Sequence, residues 1–326
     1  MKALLPLILL ALTLPSFAAK KYSYYRVGNP NDVTTSTSPG TVLMGGGTDV
    51  DAAFQWMCGL SGNGDFLVIR ATGTDAYNPY IQQLCPNENS VATLIIPNAS
   101  AAADPFVIAT VQAAEALWIA GGDQSDYINF WKGTALNDAI SALIARGAPI
   151  GGTSAGMNVL TQFIYSALGS QGVTSSQALA DPFNKYITLD RDFVTLGFVQ
   201  GLIGDPHFVT RDRMGRDLAF LCRIYLNGWS SAPRDISIDE KTALLIDSQG
   251  NGSVVGSSTV YFLQTPGAPQ TCQSGVPLTY LNIGVYRIDA TGSFNLTHWS
   301  GKSGTAYAVS ANAGVLSSTQ PGGSIY

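Results

Sequence analysis

One hexapeptide of this chain, Gly151-Gly152-Thr153-Ser154-Ala155-Gly156, has the spacing of a nucleophile held on a sharp turn. Its Gly152-x-Ser154-x-Gly156 core follows a short apolar strand and precedes Met157–Tyr165, which reads as helical. So tight a strand-to-helix turn strains the serine backbone and leaves no room for neighbouring side chains, hence the glycines. The Ala155 N–H and the positive end of the following helix would face a developing oxyanion. A serine hydroxyl is a weak nucleophile until a base takes its proton, and the chain has only two histidines, His207 and His298. His207, in Gly204-Asp205-Pro206-His207-Phe208, ends a candidate strand Leu202-Ile203 and can approach Ser154 at a sheet edge. His298 sits in a β-rich tail and reads as a surface or turn residue. The chemistry implied is acyl transfer, with Ser154 as nucleophile and His207 as base.

Two further loops fit that chemistry. Gly121-Gly122-Asp123-Gln124 ends another apolar strand, so the Gly122 N–H can complete an oxyanion hole and Gln124 can face the pocket as a neutral hydrogen-bonding group. After His207 come Arg211, Arg213 and Arg216, three arginines in six residues of a chain with only 17 basic residues. Arginine forks bind carboxylates bidentately, so an acidic substrate is expected. With two dispersed histidines and no CxxC spacing, neither a metal nor an organic cofactor is expected. A net charge of −5 argues against a nucleic-acid or anionic-membrane partner.

The elements that must position these loops follow from hydrophobic patterning. Asp65–Ala71, Val91–Pro97 and Leu117–Ala120 are near-continuous apolar runs, as strands buried on both faces are. Between them, Asp51–Cys58 and Ala135–Arg146 carry helical period, the latter stopped by Gly147. Strand and helix alternating in this way predict an α/β fold, a three-layer sandwich with a mostly parallel central sheet, over residues 41–250. Residues 251–326 read as a β-rich extension, which either lengthens the sheet or forms a small appendage. Only 12% of residues are charged and 46% are hydrophobic, which excludes a disordered chain.

Residues 1–18 read as a secretory signal: Lys2, an apolar run Ala3–Leu14, then small residues at Ser16 and Ala18. The mature protein is expected to be secreted or periplasmic and free of the membrane, with residues 19–40 as a polar lead-in over the domain surface. In an oxidising compartment the four cysteines suggest two disulfides, sequence-locally Cys58–Cys85 and Cys222–Cys272; buried free thiols are the alternative. Asn98, Asn251 and Asn295 are glycosylation sequons.

Taken in order, Gly45–Gly47, GGDQ (Gly121–Gln124), GGTSAG (Gly151–Gly156), Asp205–Arg216 (D-x-HF-x-x-R-x-R-x-G-R) and Ile238-Asp239-Glu240-x-Thr242-Ala243 resemble the cyanophycinase family. These are serine peptidases related to aspartyl dipeptidases, on a class I glutamine-amidotransferase-like fold. The resemblance spans roughly Thr41–Ile246. It implies Ser154 as nucleophile, His207 as base, Gly122 and Ala155 as oxyanion donors, and Gln124, Asp205, Arg211, Arg213 and Arg216 as the substrate pocket. It implies a substrate bearing carboxylate and guanidinium groups, the arginines holding carboxylates and Asp205 a guanidinium. Family members cut a polyaspartate chain carrying arginine and release β-aspartyl-arginine; homodimerisation is a further implication.

Pro206 stands where family members often carry Gln. The family also places an acid between nucleophile and base, yet no carboxylate occurs from Ala155 through Ala180. Gln177 or Asp181 is therefore the expected partner of the imidazole. Competing readings are a peptidase or esterase for other acidic or β-aspartyl substrates, and a binding protein for acidic polymer whose catalytic apparatus has decayed.

Overall fold

A computed structural model describes residues 21–169 and 171–326; the signal segment expected over residues 1–18 lies outside them. The first half of the chain runs β1 (Ser23–Gly28), β2 (Thr41–Met44), α1 (Asp51–Ser61), β3 (Asp65–Arg70), α2 (Tyr77–Leu84), β4 (Ser90–Ile95), α3 (Ala99–Ala102), α4 (Pro105–Ala113), β5 (Ala116–Ile119), α5 (Gln124–Phe130), α6 (Ala135–Ala145), β6 (Ile150–Thr153) and α7 (Ala155–Asn158). Strands β4-β3-β5-β6-β2 lie side by side and all parallel. Their carboxyl ends therefore share one edge, where open α/β sheets bind ligands.

Alternation along each strand sends side chains to two different cores. Phe66 and Val68, with Val42, Met44 and Trp118, pack beneath α1 and α2. Leu67 and Ile69, with Leu43, Leu117 and Ile119, face the opposite core. That is why these strands are apolar throughout. Helix α6 buries Leu136, Ala139, Ile140 and Leu143, the i, i+3, i+4, i+7 stripe of an amphipathic helix, and Gly147 beyond it has φ +85°. The lead-in is more than a surface wrap: β1 extends the sheet, antiparallel to β4.

The second half continues β7 (Phe163–Tyr165), α8 (Ser175–Ala180), β8 (Leu189–Arg191), β9 (Leu202–Asp205), α9 (Met214–Leu226), β10 (Arg234–Ile238), β11 (Thr242–Ile246), β12 (Asn251–Gly256), β13 (Val260–Gln264), β14 (Tyr280–Ile288), β15 (Ser293–Asn295), β16 (Ser300–Lys302), β17 (Thr305–Asn312) and β18 (Val315–Ser318). Here the architecture exceeds the expected single central sheet. Strands β11, β12, β15 and β16 lengthen the first sheet to ten strands, while β18-β17-β14-β13-β10-β9-β7-β8 form a second. In β10 and β13, Ile236, Ile238, Val260 and Phe262 enter the core between the sheets. Tyr261 and Leu263 enter another core beneath α9. Strands apolar on both faces need a cover on each side, so the tail is built into the fold.

One local expectation is corrected. Residues 157–165 are not one helix: α7 ends at Asn158 and β7 follows. The Thr161 hydroxyl donates to the Phe163 carbonyl at 3.0 Å, a local bond that competes with helix, and Phe163 pairs with Ile203 in the second sheet. Strands β10 and β11 are separated by the turn at residues 239–241. Both cysteine pairs occur as expected, Cys58–Cys85 joining α1 to the end of α2, and Cys222–Cys272 joining α9 to the β13–β14 connection. Among the described residues no helix is long and apolar enough to cross a membrane.

Candidate active site

Ser154 follows β6 on the turn into α7, with φ 54° and ψ −115°. A non-glycine residue held there costs on the order of 1–3 kcal/mol, which the surrounding packing must offset. The packing is tight. A Cβ at Gly152 would lie 2.6 Å from the Gly156 carbonyl carbon, and one at Gly156 would collide with the Ile119 carbonyl on β5. Both outer glycines of the motif are thus steric requirements of the turn.

His207 follows β9, with φ 52°, and its backbone N–H donates to the Gly45 carbonyl at 2.7 Å. Ser154 Oγ lies 2.8 Å from His207 Nε2. The glycine turn after β2 makes room for the ring: a Cβ at Gly46 would sit 2.6 Å from Nε2. On the far side of the imidazole, Nδ1 lies 2.6 Å from Glu240 Oε1. Glu240 occupies the turn between β10 and β11, pinned where the Lys241 N–H donates to the Gly46 carbonyl at 2.9 Å. Four strand ends, of β2, β6, β9 and β10, converge on one Ser–His–Glu chain.

Neither expected third residue is there. Thr174 and Gln177 form a capping box at the start of α8, each side chain bonded to the other's backbone N–H. Asp181 accepts from the Phe183 and Gly275 N–H groups at 2.8 and 3.0 Å. The Thr174-x-x-Gln177 spacing was a legible sign that Gln177 had a local task. Glu240 was within reach too, in the acidic turn carrying the family resemblance, but its position after the base in sequence hid its partnership. His298 is exposed, as expected.

Burial pushes the His207 pKa below its ordinary value; the hydrogen bond to Glu240 opposes this, and the positive charges of Arg211 and Arg213 add to it. The imidazole is therefore neutral at neutral pH and ready to accept a proton. Asp239, beside Glu240, accepts from the Val209 and Thr210 N–H groups and the Thr210 and Ser258 hydroxyls at 2.8–3.1 Å, fixing the chain just after His207.

Gly121 abuts the serine, where a Cβ would lie 3.5 Å from Ser154 Cβ, whereas one at Gly122 would meet the Tyr127 hydroxyl at 2.9 Å. The Ala155 N–H, first in its helix, has no acceptor within it. A cavity of about 330 Å³ opens in front of Ser154, lined by Gln124, Asn158, Tyr165, Arg211, Arg213 and Arg216 among others. A larger groove, about 530 Å³ beside Arg26 and Asp65, includes none of these residues and has no nucleophile–base pair. Gln124 donates to the Tyr165 carbonyl at 3.2 Å, which holds its amide at the cavity wall.

Asp205 is not available to a substrate guanidinium. It is fully buried, with Arg216 Nε on Oδ2 at 2.6 Å, and Arg216 Nη2 and Arg213 Nη1 both on Oδ1. Burial alone would raise its pKa; the charges of Arg216 and Arg213 outweigh that and hold it below the usual carboxylate range. Arg216 is 4% exposed and lies over the Tyr165 ring, 4.9 Å from its centroid, so it frames the cavity from behind. Arg213 also donates to the Pro206 carbonyl at 2.7 Å. Arg211 is the exposed member, its Nε 3.6 Å from Glu240 Oε1.

The sequence profile of Peptidase family S51 matches residues 90–251. Cyanophycinase of Geminocystis herdmanii is 29% identical over 177 residues, 53% of this chain and 54% of that protein. Cyanophycinase of Trichormus variabilis is 26% identical over 198 residues, 58% and 60% of the two chains. The chain thus spans little more than half the length of these curated relatives. Among solved structures, a peptidase from an acI-B1 Actinobacterium superposes with a TM-score of 0.53 at 16% identity, covering 80% of this chain and 98% of that one, a likeness of fold.

Proposed function

The chain belongs to peptidase family S51, and from that premise we propose that it is a serine-type peptidase of cyanophycinase kind, exported from the cell. It would cleave an aspartate/arginine polymer to β-aspartyl-arginine. The observation that carries the proposal is the unbroken chain from Ser154 Oγ through His207 to Glu240 Oε1 at 2.8 and 2.6 Å.

In the reaction, His207 Nε2 takes the Ser154 hydroxyl proton as Oγ attacks the substrate carbonyl carbon. The resulting oxyanion is met by the Gly122 and Ala155 N–H groups. Glu240 keeps the remaining ring proton on Nδ1 and stabilises the imidazolium. His207 then hands its proton to the leaving amine and the C–N bond breaks, leaving an acyl-Ser154 ester. Water, deprotonated by the same imidazole, hydrolyses the ester and restores the serine.

Arg213 and Arg211 are suited to a substrate carboxylate, with Arg216 and Asp205 as their support. Two cysteine pairs fit an oxidising compartment. The test is release of β-aspartyl-arginine from purified cyanophycin by the wild type, Ser154→Ala and His207→Ala. Release lost in both variants supports the proposal. Polymer bound but not cut, equally by all three proteins, favours a decayed binding protein. No release and no binding removes the substrate assignment.

A further inference from the structure

Behind the arginines that frame the cavity, three carboxyls make more contacts than the hydrogens around them can serve. Asp217 stands on α9 directly after Arg216, and Asp235 and Ser237, two residues apart on β10, share the face of that strand turned toward α9. Ser237 lies in register with Asp205 on β9 and with Tyr261 on β13. Asp205, Asp217, Asp235 and Ser237 are all fully buried. Arg213 and Arg216 both pair with Asp205; among the described residues neither Asp217 nor Asp235 has an ion-pair partner.

Ser237 Oγ lies 2.6 Å from Asp217 Oδ2 and 2.7 Å from Asp235 Oδ1. A hydroxyl has one hydrogen to give, and ionised carboxylates have none. Were both acids ionised, one of these contacts would hold two acceptors together with no hydrogen between them. Asp217 also lies within hydrogen-bond reach of Asp205 and of Asp235, which again requires a hydrogen. The outer oxygens, Asp217 Oδ1 and Asp235 Oδ2, are buried without a donor, so neither acid has the surroundings an ion needs. Charge balance agrees: two guanidiniums are matched by Asp205 and one further carboxylate, which leaves the third carboxyl neutral. Burial raises both acids. The charges of Asp235 and Asp205 lift Asp217 well above the usual carboxylate range, and Asp235 reaches about 8 against the opposing Ser237 hydrogen bond. Around the pair, Arg216 and Arg213 favour ionisation and Asp205 opposes it. The phenols of Tyr165 on β7, Tyr261 on β13 and Tyr326 beyond β18 are raised by burial and stay uncharged.

We infer that Asp217 and Asp235 hold one proton between them across Ser237 at neutral pH, and that this buried hydrogen keeps Arg213 and Arg216 in place beside the cavity. With it the cluster is neutral and both guanidiniums stay on Asp205. Without it a second buried negative charge competes for them and opposes a carboxylate arriving in front. Asp217 and Asp235 are thus positioning residues for the arginine wall. That consequence rests on the peptidase reading above; the shared proton does not.

Asparagine at either position supplies the missing hydrogen permanently, so the experiment compares wild type with Asp217→Asn and Asp235→Asn. Infrared difference spectra in neutral solution should show a carboxylic-acid C=O absorbance that wild type has and each variant lacks. In wild type it should fade as the pH passes about 8. Other raised acids such as Glu88 are common to all three proteins and cancel. No difference against either variant overturns the shared proton, and a wild-type spectrum without the absorbance does so with no variant at all. If one variant loses its thermal transition, the other gives the same readout. An acid whose folded pKa is raised contributes stability below its unfolded value of about 3.9 and loses it as the pH rises through the folded value. The wild-type thermal midpoint should therefore fall relative to either variant over that range, and parallel curves overturn the idea. For positioning, the wild-type KM for a β-aspartyl peptide should rise at least about threefold over the alkaline step with kcat changed less, and stay level in the variants. A flat wild-type KM, or a rise that persists in both variants, removes the positioning role. No hydrolysis with the infrared difference intact sinks the peptidase reading alone; hydrolysis without that difference sinks this inference alone.

Discussion

Replacing Glu240 by Gln keeps the side chain's shape and removes the charge that faces His207 Nδ1 at 2.6 Å. In the transition state that charge confronts an imidazolium. At an effective dielectric of about 20, unit charges about 4 Å apart interact by about 4 kcal/mol, roughly three decades of rate at about 1.4 kcal/mol per tenfold. The amide can also donate to Nδ1 and so select the wrong tautomer; the analogous Asp→Asn change in a serine protease lowers kcat about 10⁴-fold. The expected loss in kcat is therefore about 10³–10⁴, with KM within about threefold, measured by steady-state hydrolysis of a β-aspartyl peptide. Gln177→Ala and Asp181→Asn should leave kcat within about threefold, since a lost helix cap costs about 1 kcal/mol of stability and no catalytic contact. In a Ser154→Ala background, Glu240→Gln should add no further loss, because the residues act as one unit. A Glu240→Gln enzyme retaining more than about a tenth of wild-type kcat would refute this assignment. So would a Gln177→Ala loss of comparable size.

Because the His207 pKa is lowered by burial and by the Arg211 and Arg213 charges, kcat/KM should fall on an acid limb centred below the ordinary imidazole value of about 6.5. Arg211→Ala should move that limb upward; a wild-type limb at or above about 6.5 contradicts the reasoning. The same group contributes to stability in full above about pH 6.5 and loses that contribution as the pH falls toward its lowered folded value, since the unfolded chain takes up the proton first. Asp205→Asn leaves Arg213 and Arg216 without their shared counter-ion and should destabilise the fold by about 3–5 kcal/mol, read as a lower thermal midpoint; an unchanged midpoint would show that the arginines find other partners. The Tyr326 hydroxyl bonds the Asp212 carboxylate at 2.9 Å and the Met214 N–H at 3.0 Å, bracing the arginine segment from outside the cavity. Tyr326→Phe should raise KM for an acidic peptide several-fold with kcat changed less, and a change confined to kcat would deny it this positioning role.

Much of the catalytic edge was legible because its requirements are local. Gly152 and Gly156 flank Ser154 within one turn, and a two-histidine chain narrows the search for a base to His207. The alternation of Phe66, Leu67, Val68 and Ile69 between two cores likewise shows as a plain apolar run. Gln177 misled because a capping box and a catalytic amide look alike when only order along the chain is known. Asp205 misled for a related reason: a carboxylate next to a base reads as a substrate ligand until its counter-ions are located.

What the sequence by itself determined is the parallel α/β layer, the strained serine turn and the candidate base, all set by short-range sterics, periodicity and proximity along the chain; it suggested the cysteine pairings, which the structure then decided. Only the tertiary structure decided that the tail completes two sheets, that Glu240 rather than Gln177 or Asp181 meets the imidazole, and that Asp205 is consumed by Arg213 and Arg216. Those outcomes depend on which strand ends are neighbours. Parallel pairing of β9 with β10 brings the turn after β10 alongside His207. Pairing of β2 with β6 and β11 brings the glycine turn against both. Burial then settles the charges, because a carboxylate removed from water is retained only where cations or hydrogen-bond donors surround it.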